Sequence, residues 1–132
     1  LQKEVADRIA APPGCKAYGV LTLLLKPAYE LDGNFLIPAD CYFPAPGVDT
    51  SCIRLTRRAK PLVSPSAFKT YVRIVKRGFS QRRKMMLKLL KQDWPVDKLA
   101  AAFEAAGLDE KIRAEALTID QFVTLTESLA DS

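Results

Sequence analysis

Three adjacent cations, Arg82, Arg83 and Lys84, have the clearest chemical meaning in this sequence. They follow Ser80, a residue type that commonly caps a helix, so they would occupy the first turn of the next helix. The helix dipole disfavours cations at that end by about 0.3–1 kcal/mol, so the trio has no structural reason to be there. Free backbone amides and cations at a helix start do bind phosphate. We therefore predict that the trio contacts a polyanion.

The trio lies within a long segment that contains no acid. From Thr50 to Gln92, a span of 43 residues, the chain has thirteen Lys or Arg and no Asp or Glu. The remaining 7 cations and all 15 acids lie outside this basic span, so the span carries +13 and the rest of the chain −8. A solvated surface normally mixes both signs. The exclusion of acids indicates an anionic partner, with nucleic acid favoured over an anionic membrane.

Two adjacent aromatic residues, Tyr42 and Phe43, precede a stiff Pro-Ala-Pro loop. Prolines this close together exclude regular structure, and the loop leads directly into a predicted strand. One interpretation, which composition alone favours, is an aromatic plug at the edge of a domain. The other is a platform on which an extruded base stacks, a contact of roughly 1–3 kcal/mol per base.

Other kinds of site find no support in the sequence. The chain has no His, which removes the commonest general base and metal ligand, and it has no glycine-rich phosphate loop. Cys15, Cys41 and Cys52 are odd in number and widely spaced, so we expect reduced, mostly buried thiols in an intracellular protein. We expect no metal site and no cofactor site within these 132 residues.

The N-terminal sequence LQKEVADRIA is neither a signal peptide nor a transit peptide, and no apolar run approaches the roughly 18 residues that span a bilayer. We therefore expect no membrane association. The chain lacks an initiator Met, so we expect a fragment that comprises one domain, or a small domain plus part of another.

The first half of the chain predicts mixed secondary structure. Residues 1–11 indicate a short helix that ends at the Pro-Pro-Gly that follows. The apolar run AYGVLTLLLK is too short to assign by its period. A turn is expected at Asp-Gly-Asn, residues 32–34, and VDTSCIRL alternates as a strand does. Because RRAKPLVSPS resembles a linker, we place a domain boundary between residues 58 and 59.

The second half predicts four helices. Ser64 would cap the first, with Pro65 in its first turn. Its apolar stripe comprises Phe68, Tyr71, Val72, Val75 and Phe79. Its opposite face carries Lys69, Arg73, Lys76 and Arg77. Ser80 would cap the second helix, whose core face comprises Met85, Met86, Leu89 and Leu90. The third helix would end at Gly107, and the fourth would begin with a capping box from Thr118 to Gln121.

Four motifs follow one another along the chain: LQKEVADRI with PPGCKAYGVLT, then YFPAPGVDTS, FSQRRKMMLKLL and GLDEKIRAEALTIDQFVTL. In this order they resemble QKEVA-R with PGSKAYG-LS, F-x-P-x-P-K-V-D-S, F-x-QRRK and GID---RAE-LS---F--L. These are motifs of the rRNA adenine dimethyltransferase family, the dimethyladenosine transferases that act on small-subunit rRNA. The resemblance covers nearly the whole chain and corresponds to the C-terminal half of the family.

The resemblance implies an α+β fragment. Residues 1–58 would be the last strands and helix of a Rossmann-like S-adenosylmethionine methyltransferase domain, with AYGVLTLLL as a helix packed on the sheet. Residues 59–132 would be a small all-α domain that recognises rRNA. Family members dimethylate the exocyclic amines of two adjacent adenines in small-subunit (16S) rRNA during ribosome assembly, so a cytoplasmic protein is expected.

The resemblance also implies roles for residues. Tyr42 aligns with a Phe that stacks on the target adenine, and Phe43 occupies the next position. The rRNA contacts that it implies are Arg82, Arg83, Lys84 and Arg113. To these the charge pattern of the preceding helix adds Arg73, Lys76 and Arg77. The family's cofactor loop and Asn-Leu-Pro-Tyr catalytic motif lie upstream of the matched region. S-adenosylmethionine is therefore expected as the cofactor of the full-length enzyme, and this chain alone is expected to be inactive.

Two alternatives remain open. Macrolide-resistance methyltransferases, which modify large-subunit rRNA, share the fold and the aromatic-Pro-x-Pro segment, although the QRRK and RAE motifs favour the small-subunit enzymes. A non-catalytic assembly or transcription factor could use the same fold to hold nucleic acid. For any of these, strands without their parent sheet would expose unpaired edges, so we expect self-association.

Overall fold

The structure is a computed structural model that describes residues 2–38, 47, 49–81 and 83–130. Before residue 58 it has two helices and two strands: α1, Lys3–Ala10; α2, Val20–Leu25; β1, Tyr29–Ile37; and β2, Thr50–Arg57. After residue 58 the regular elements of these described ranges are helical: α3, Phe68–Gly78; α4, Met86–Leu90; α5, Val96–Ala106; a 3-10 turn, Ala114–Ala116; and α6, Ile119–Ala130. The expected α+β class is confirmed, with a small sheet.

The two strands pair antiparallel, with a bulge where the sequence predicts a turn. The register shifts between Leu31 and Gly33, so Asp32 is an extra residue in β1. The Asp32 carboxylate accepts hydrogen bonds from Nε of Arg54, at 2.6 Å, and from the Thr56 hydroxyl. The predicted Asp-Gly-Asn turn is therefore wrong, because these bonds to the partner strand hold the Asp-Gly pair inside one continuous bulged strand.

The apolar run that could not be assigned by period contains helix α2, as the family resemblance implies. The Thr22 hydroxyl donates to the carbonyl of Arg8 and so joins α2 to α1. The main contacts of α2 are with α1 and α3, and Leu23 is fully buried. It is α1 that contacts both strands, and Gln2 just before it pairs with Thr50.

One hydrophobic core joins the segment before β1 to the helices after β2. Tyr18 is 1% exposed, and its hydroxyl donates to the carbonyl of Leu117 at 2.6 Å. Tyr71 of α3 is fully buried, and its hydroxyl donates to the carbonyl of Leu23 in α2. The ring of Tyr18 also meets the ring of Phe79 edge to face at 6.1 Å. The core therefore continues across the domain boundary that the sequence predicts between residues 58 and 59.

The ends of the last two helices are as the sequence predicts. Gly107 follows α5 with φ of 67°, a left-handed conformation that a residue with a Cβ adopts only at a cost. At the start of α6, the Thr118 amide donates to the Gln121 side chain and the Gln121 amide donates to the Thr118 hydroxyl. The predicted core positions of α6 are buried: Phe122, Leu125 and Leu129.

The start of α3 differs from the prediction. Residues 64–67 form a turn closed by a bond from the Ala67 amide to the Ser64 carbonyl, and the helix begins at Phe68. Ser64 is therefore not the cap of this helix, and its hydroxyl lies instead beside that of Ser66. The buried stripe consists of Tyr71, Ile74, Val75 and Gly78. Phe68, which was assigned to the stripe, is exposed, because the turn places it at the rim of the core.

Two of the three cysteines lie within the described ranges, and both are free thiols. Cys15 is half-buried and Cys52 is exposed. The expectation of mostly buried thiols is therefore wrong for Cys52, because the alternation of β2 turns this residue away from the core. Cys41 lies outside the described residues.

Candidate nucleic-acid interface

The strands supply acids that pair with cations of the basic span. Glu30 pairs with Arg58 at 3.0 Å, and Asp32 pairs with Arg54 at 2.6 Å. The exposed cations of the span that form no ion pair with other described residues are Arg57, Lys60, Lys69, Lys76, Arg83, Lys84, Lys88 and Lys91. Six of these eight lie on α3, on α4 and its C-terminal end, or in the turn between the two helices. The positive surface is thus concentrated at the α3–α4 pair.

On α3, the cations lie opposite the buried stripe, as predicted, but two of them share an acid. Asp93 is the first residue after the basic span, and its side chain is 8% exposed. Nε and Nη2 of Arg77 donate to its two carboxylate oxygens at 2.8 and 3.3 Å, and Nη1 donates to the Gln92 side chain at 3.2 Å. Nη2 of Arg73 donates to the same carboxylate at 3.1 Å. Asp93 therefore joins α3 to the turn that follows α4.

The electrostatics of this cluster favour the charged forms of Asp93 and Arg77. The hydrogen bond from Arg77, followed by the bond from Arg73 and the charges of both, holds the pKa of the Asp93 carboxyl below its usual range. The bond to Asp93 in turn raises the pKa of the Arg77 guanidinium. No periodicity marks Asp93 in the sequence; the one available signal is its place as the first acid after the span.

Trp94 completes the cluster. The guanidinium carbon of Arg73 lies 5.2 Å from the centre of the Trp94 ring, within the range of a cation–π contact. The Trp94 ring is half-buried and packs against the core, immediately before Pro95 at the start of α5. Trp94 therefore packs at the start of α5, and its contact with Arg73 is one that the sequence does not indicate.

Arg83 and Lys84 of the basic trio occupy a turn, not the first turn of a helix. The Ser80 hydroxyl donates to the Arg77 carbonyl at 2.6 Å, so Ser80 caps the end of α3 instead of the start of α4. Helix α4 is five residues long and begins after Met85, with no side-chain cap. The Met86 amide donates to the carbonyl of Ile112 at 2.9 Å. The predicted helix-start phosphate site is therefore wrong, because this first amide is already satisfied by the protein.

The two described members of the trio remain accessible in this turn. Arg83 and Lys84 are exposed, and the Lys84 amide donates to the carbonyl of Gln81 at 3.2 Å. The bond between Met86 and Ile112 places the start of α4 beside the segment that contains Arg113. The fold therefore brings the QRRK and RAE motifs to neighbouring positions, and Arg113 of the second motif is exposed.

Three predicted site residues, Tyr42, Phe43 and Arg82, lie outside the described residues, so their roles stay predictions. Within the described ranges, no group of three or more His, Cys, Asp or Glu is placed to hold a metal ion. In the same ranges, no helix is long and apolar enough to cross a membrane.

Relatives of this chain agree in one function. The chain is 39% identical over 132 residues to ribosomal RNA small subunit methyltransferase A of Myxococcus xanthus, covering 98% of the chain and 47% of that protein. It is 40% identical over 136 residues to the protein of the same name from Lactiplantibacillus plantarum, covering 98% of the chain and 45% of the relative. The chain spans about half the length of the curated relatives it matches.

Solved structures share the fold. A dimethyladenosine transferase from Plasmodium falciparum aligns with a TM-score of 0.76 and 21% identity over 94% of the chain and 53% of its own. The 23S rRNA methyltransferase ErmE aligns with a TM-score of 0.70 and 24% identity over 97% of the chain and 52% of its own. The family model for ribosomal RNA adenine dimethylase matches residues 1–131. This chain therefore belongs to the ribosomal RNA adenine dimethylase family.

Proposed function

We propose that this chain is the rRNA-docking, C-terminal part of a methyltransferase that dimethylates two adjacent adenines of small-subunit rRNA during ribosome assembly. The observation that carries the proposal is the concentration of exposed, unpaired cations on the α3–α4 surface of a chain whose relatives are named small subunit methyltransferases. Phosphate contacts of this kind position a protein on RNA without reading its sequence.

The proposed contacts form one surface. Arg82, Arg83 and Lys84 are proposed to bind phosphates, and the two described members, Arg83 and Lys84, are exposed in the turn between α3 and α4. Arg113 extends the surface from the segment beside the start of α4, and the exposed face of α3 adds Arg73 and Lys76. A turn held at both ends, by the Ser80 cap and by the bond from Met86, presents its cations with little backbone freedom.

We also propose that the boundary between residues 58 and 59 separates functions. The part before it would complete a methyltransferase domain, and the part after it would be an all-α unit for rRNA recognition. The shift from strands to helices supports this division. Because the core is continuous across the boundary, the two parts would hold the RNA and the target base in a fixed relation.

The methyl donor proposed for the whole enzyme is S-adenosylmethionine, and we propose that its site lies outside this chain. An open groove of about 940 Å³ lies against α1 and α2. Its carboxylates, Glu4 and Asp7, already accept hydrogen bonds from Arg8 and Lys3 of the same helix, and its lining includes no aromatic ring for an adenine. The cofactor site would therefore lie in another part of the protein. For the target base, we propose stacking on Tyr42, with Phe43 beside it.

Two further proposals concern the location of the protein and its self-association. We propose that it acts on the assembling small subunit in the cytoplasm. Within the described residues the sheet has two strands, β1 and β2, and Leu36 on β1 is 47% exposed. We propose that copies of the isolated chain associate through these strand edges.

The decisive experiment measures RNA binding as a function of salt. The probe is an adenine-containing hairpin of small-subunit rRNA, and the variant carries Ala at Arg82, Arg83 and Lys84. Each lost phosphate contact lowers the log–log salt slope by about 0.7–0.9, so we expect a fall of about 2 to 3. The matched control carries Ala at three exposed cations elsewhere: Lys3, Arg8 and Lys111. An unchanged affinity and slope in the trio variant, or an equal loss in the control, would refute the proposal.

The large-subunit alternative rests on the likeness to ErmE, which is a likeness of fold and does not separate the two substrates. Methylation assays on small and large ribosomal subunits, with protein that includes the cofactor-binding part, distinguish them. We expect methyl transfer to the small subunit. Transfer only to the large subunit would replace our proposal, and transfer to neither would favour a non-catalytic nucleic-acid-binding factor.

A further inference from the structure

Arg73 and Arg77 lie one helical turn apart and share one carboxylate, yet their guanidinium groups differ in how many hydrogen bonds they donate. All three nitrogens of Arg77 donate hydrogen bonds, two to Asp93 and one to Gln92. Its side chain is 38% exposed. A guanidinium that grips a carboxylate with its side edge has already used the fork that would bind a phosphate. Arg77 therefore connects α3 to the turn after α4.

Arg73 keeps most of its donors. Only Nη2 donates, to Asp93, while Nε and Nη1 have no acceptor among the described residues. Its side chain is 60% exposed, and its guanidinium is fixed from two sides, by the Asp93 carboxylate and by the face of the Trp94 ring. A planar group that is already held loses little conformational freedom when it binds a further ligand. Each two-donor edge of a guanidinium pairs Nη2 with either Nε or Nη1, and Nη2 carries two hydrogens. With one of these hydrogens bonded to Asp93, the other edge stays open to an oxyanion that accepts two parallel hydrogen bonds.

We propose that Arg73 is a preformed phosphate fork for the RNA backbone, that Asp93 and Trp94 are the residues that position it, and that Arg77 is a structural connection with no RNA contact. This assignment rests on the proposed rRNA-docking function and divides two cations that the sequence grouped together. The carboxylate of Asp93, although it lies in a basic surface, then serves binding by orienting Arg73 and by occupying Arg77.

The test compares four single variants and one double variant with the wild-type chain on the same rRNA hairpin, at a temperature below the unfolding midpoint of each. R73Q removes the charge and the fork, so the salt slope falls by about 0.7–0.9. R73K keeps the charge and loses the planar group on Trp94, so the slope is unchanged while affinity falls about 2- to 5-fold, the range that an exposed cation–π contact represents. R77Q lowers the unfolding midpoint but leaves the slope unchanged.

The fourth variant is D93N. It frees the guanidinium of Arg77 for phosphate, so the salt slope steepens by about 0.7–0.9, and adding R77Q to D93N removes that increase. If R77Q alone lowers the slope as much as R73Q does, or if R73K binds as the wild type does, the assignment is wrong while rRNA docking stands. If the wild-type chain binds the hairpin without a salt-dependent slope, the docking function itself fails and this assignment with it.

Discussion

Replacing Tyr18 with Phe would remove one hydroxyl and keep the ring that packs against Phe79. That hydroxyl donates to the Leu117 carbonyl at 2.6 Å in a site that is 1% exposed, so the change leaves a buried carbonyl without its partner. Such a loss costs about 1–3 kcal/mol. An unfolding entropy of about 2.1 cal/mol/K per residue then predicts that the midpoint falls by roughly 4–11 °C for a chain of this length.

The same variant tests whether the core is one cooperative unit. Tyr18 precedes the strands and Leu117 follows α5, so the bond joins the two parts that the sequence boundary separates. We expect one transition, at the same lowered midpoint, in far-UV circular dichroism and in the fluorescence of Trp94. Two transitions would show that the parts unfold separately and would contradict the continuous core described above.

Alkaline pH gives a second, independent readout. Burial raises the pKa of the Tyr18 and Tyr71 hydroxyls well above the ordinary value of about 10. Their contribution to stability is therefore complete below pH 10. It is lost as the pH rises further, because the unfolded chain releases these protons and the folded chain retains them. The loss is about 1.4 kcal/mol per pH unit for each tyrosine, so the Tyr18→Phe variant should lose stability about half as steeply.

Tyr29→Phe is the matched control, because this tyrosine lies on β1 and is 37% exposed. Its midpoint and its alkaline profile should equal those of the wild type. The reasoning fails if Tyr18→Phe resembles this control in either measurement, since the buried hydroxyl would then contribute neither a hydrogen bond nor a shifted proton equilibrium.

Four further outcomes are expected. Thr118→Ala removes half of the capping box and should cost about 1 kcal/mol in urea unfolding, with Thr118→Ser close to wild type. Gly107→Ala forces a Cβ into a left-handed conformation and should cost about 1 kcal/mol, with Gly107→Asn costing less. Asp93→Asn should flatten the acid side of the stability profile: the lowered pKa means that the Asp93 contribution is present above about pH 3.9 and is lost as pH falls below it. Leu36→Lys should lower the mass that light scattering reports for the isolated chain; an unchanged mass would show that the strand edges are not the contact.

Local rules predicted the features that depend on a few neighbouring residues. The capping box at Thr118 and the stop at Gly107 were predictable because each is completed within four residues of chain. The Asp-Gly-Asn turn was not, because Asp32 finds its partners on β2, more than twenty residues away. Ser80 shows the same limit. The sequence predicts that it caps the start of α4, but its hydroxyl donates to the Arg77 carbonyl and so caps the end of α3.

The prediction that the basic trio contacts a polyanion keeps one of its two grounds. A phosphate site at the start of a helix is not formed, because Met86 donates its amide to Ile112 and α4 has only five residues. The excess of positive charge remains, although it is confined to a smaller surface. Acids from outside the span pair with Arg54 and Arg58 near the strands and with Arg73 and Arg77 on α3. Within the described residues, they form no ion pair with Arg83 or Lys84 in the turn between α3 and α4. Of the thirteen cations of the span, eight are thus exposed and form no ion pair with other described residues, which leaves them available to bind phosphate. The hydrogen bond from the Met86 amide to the Ile112 carbonyl also places Arg113 beside the start of α4.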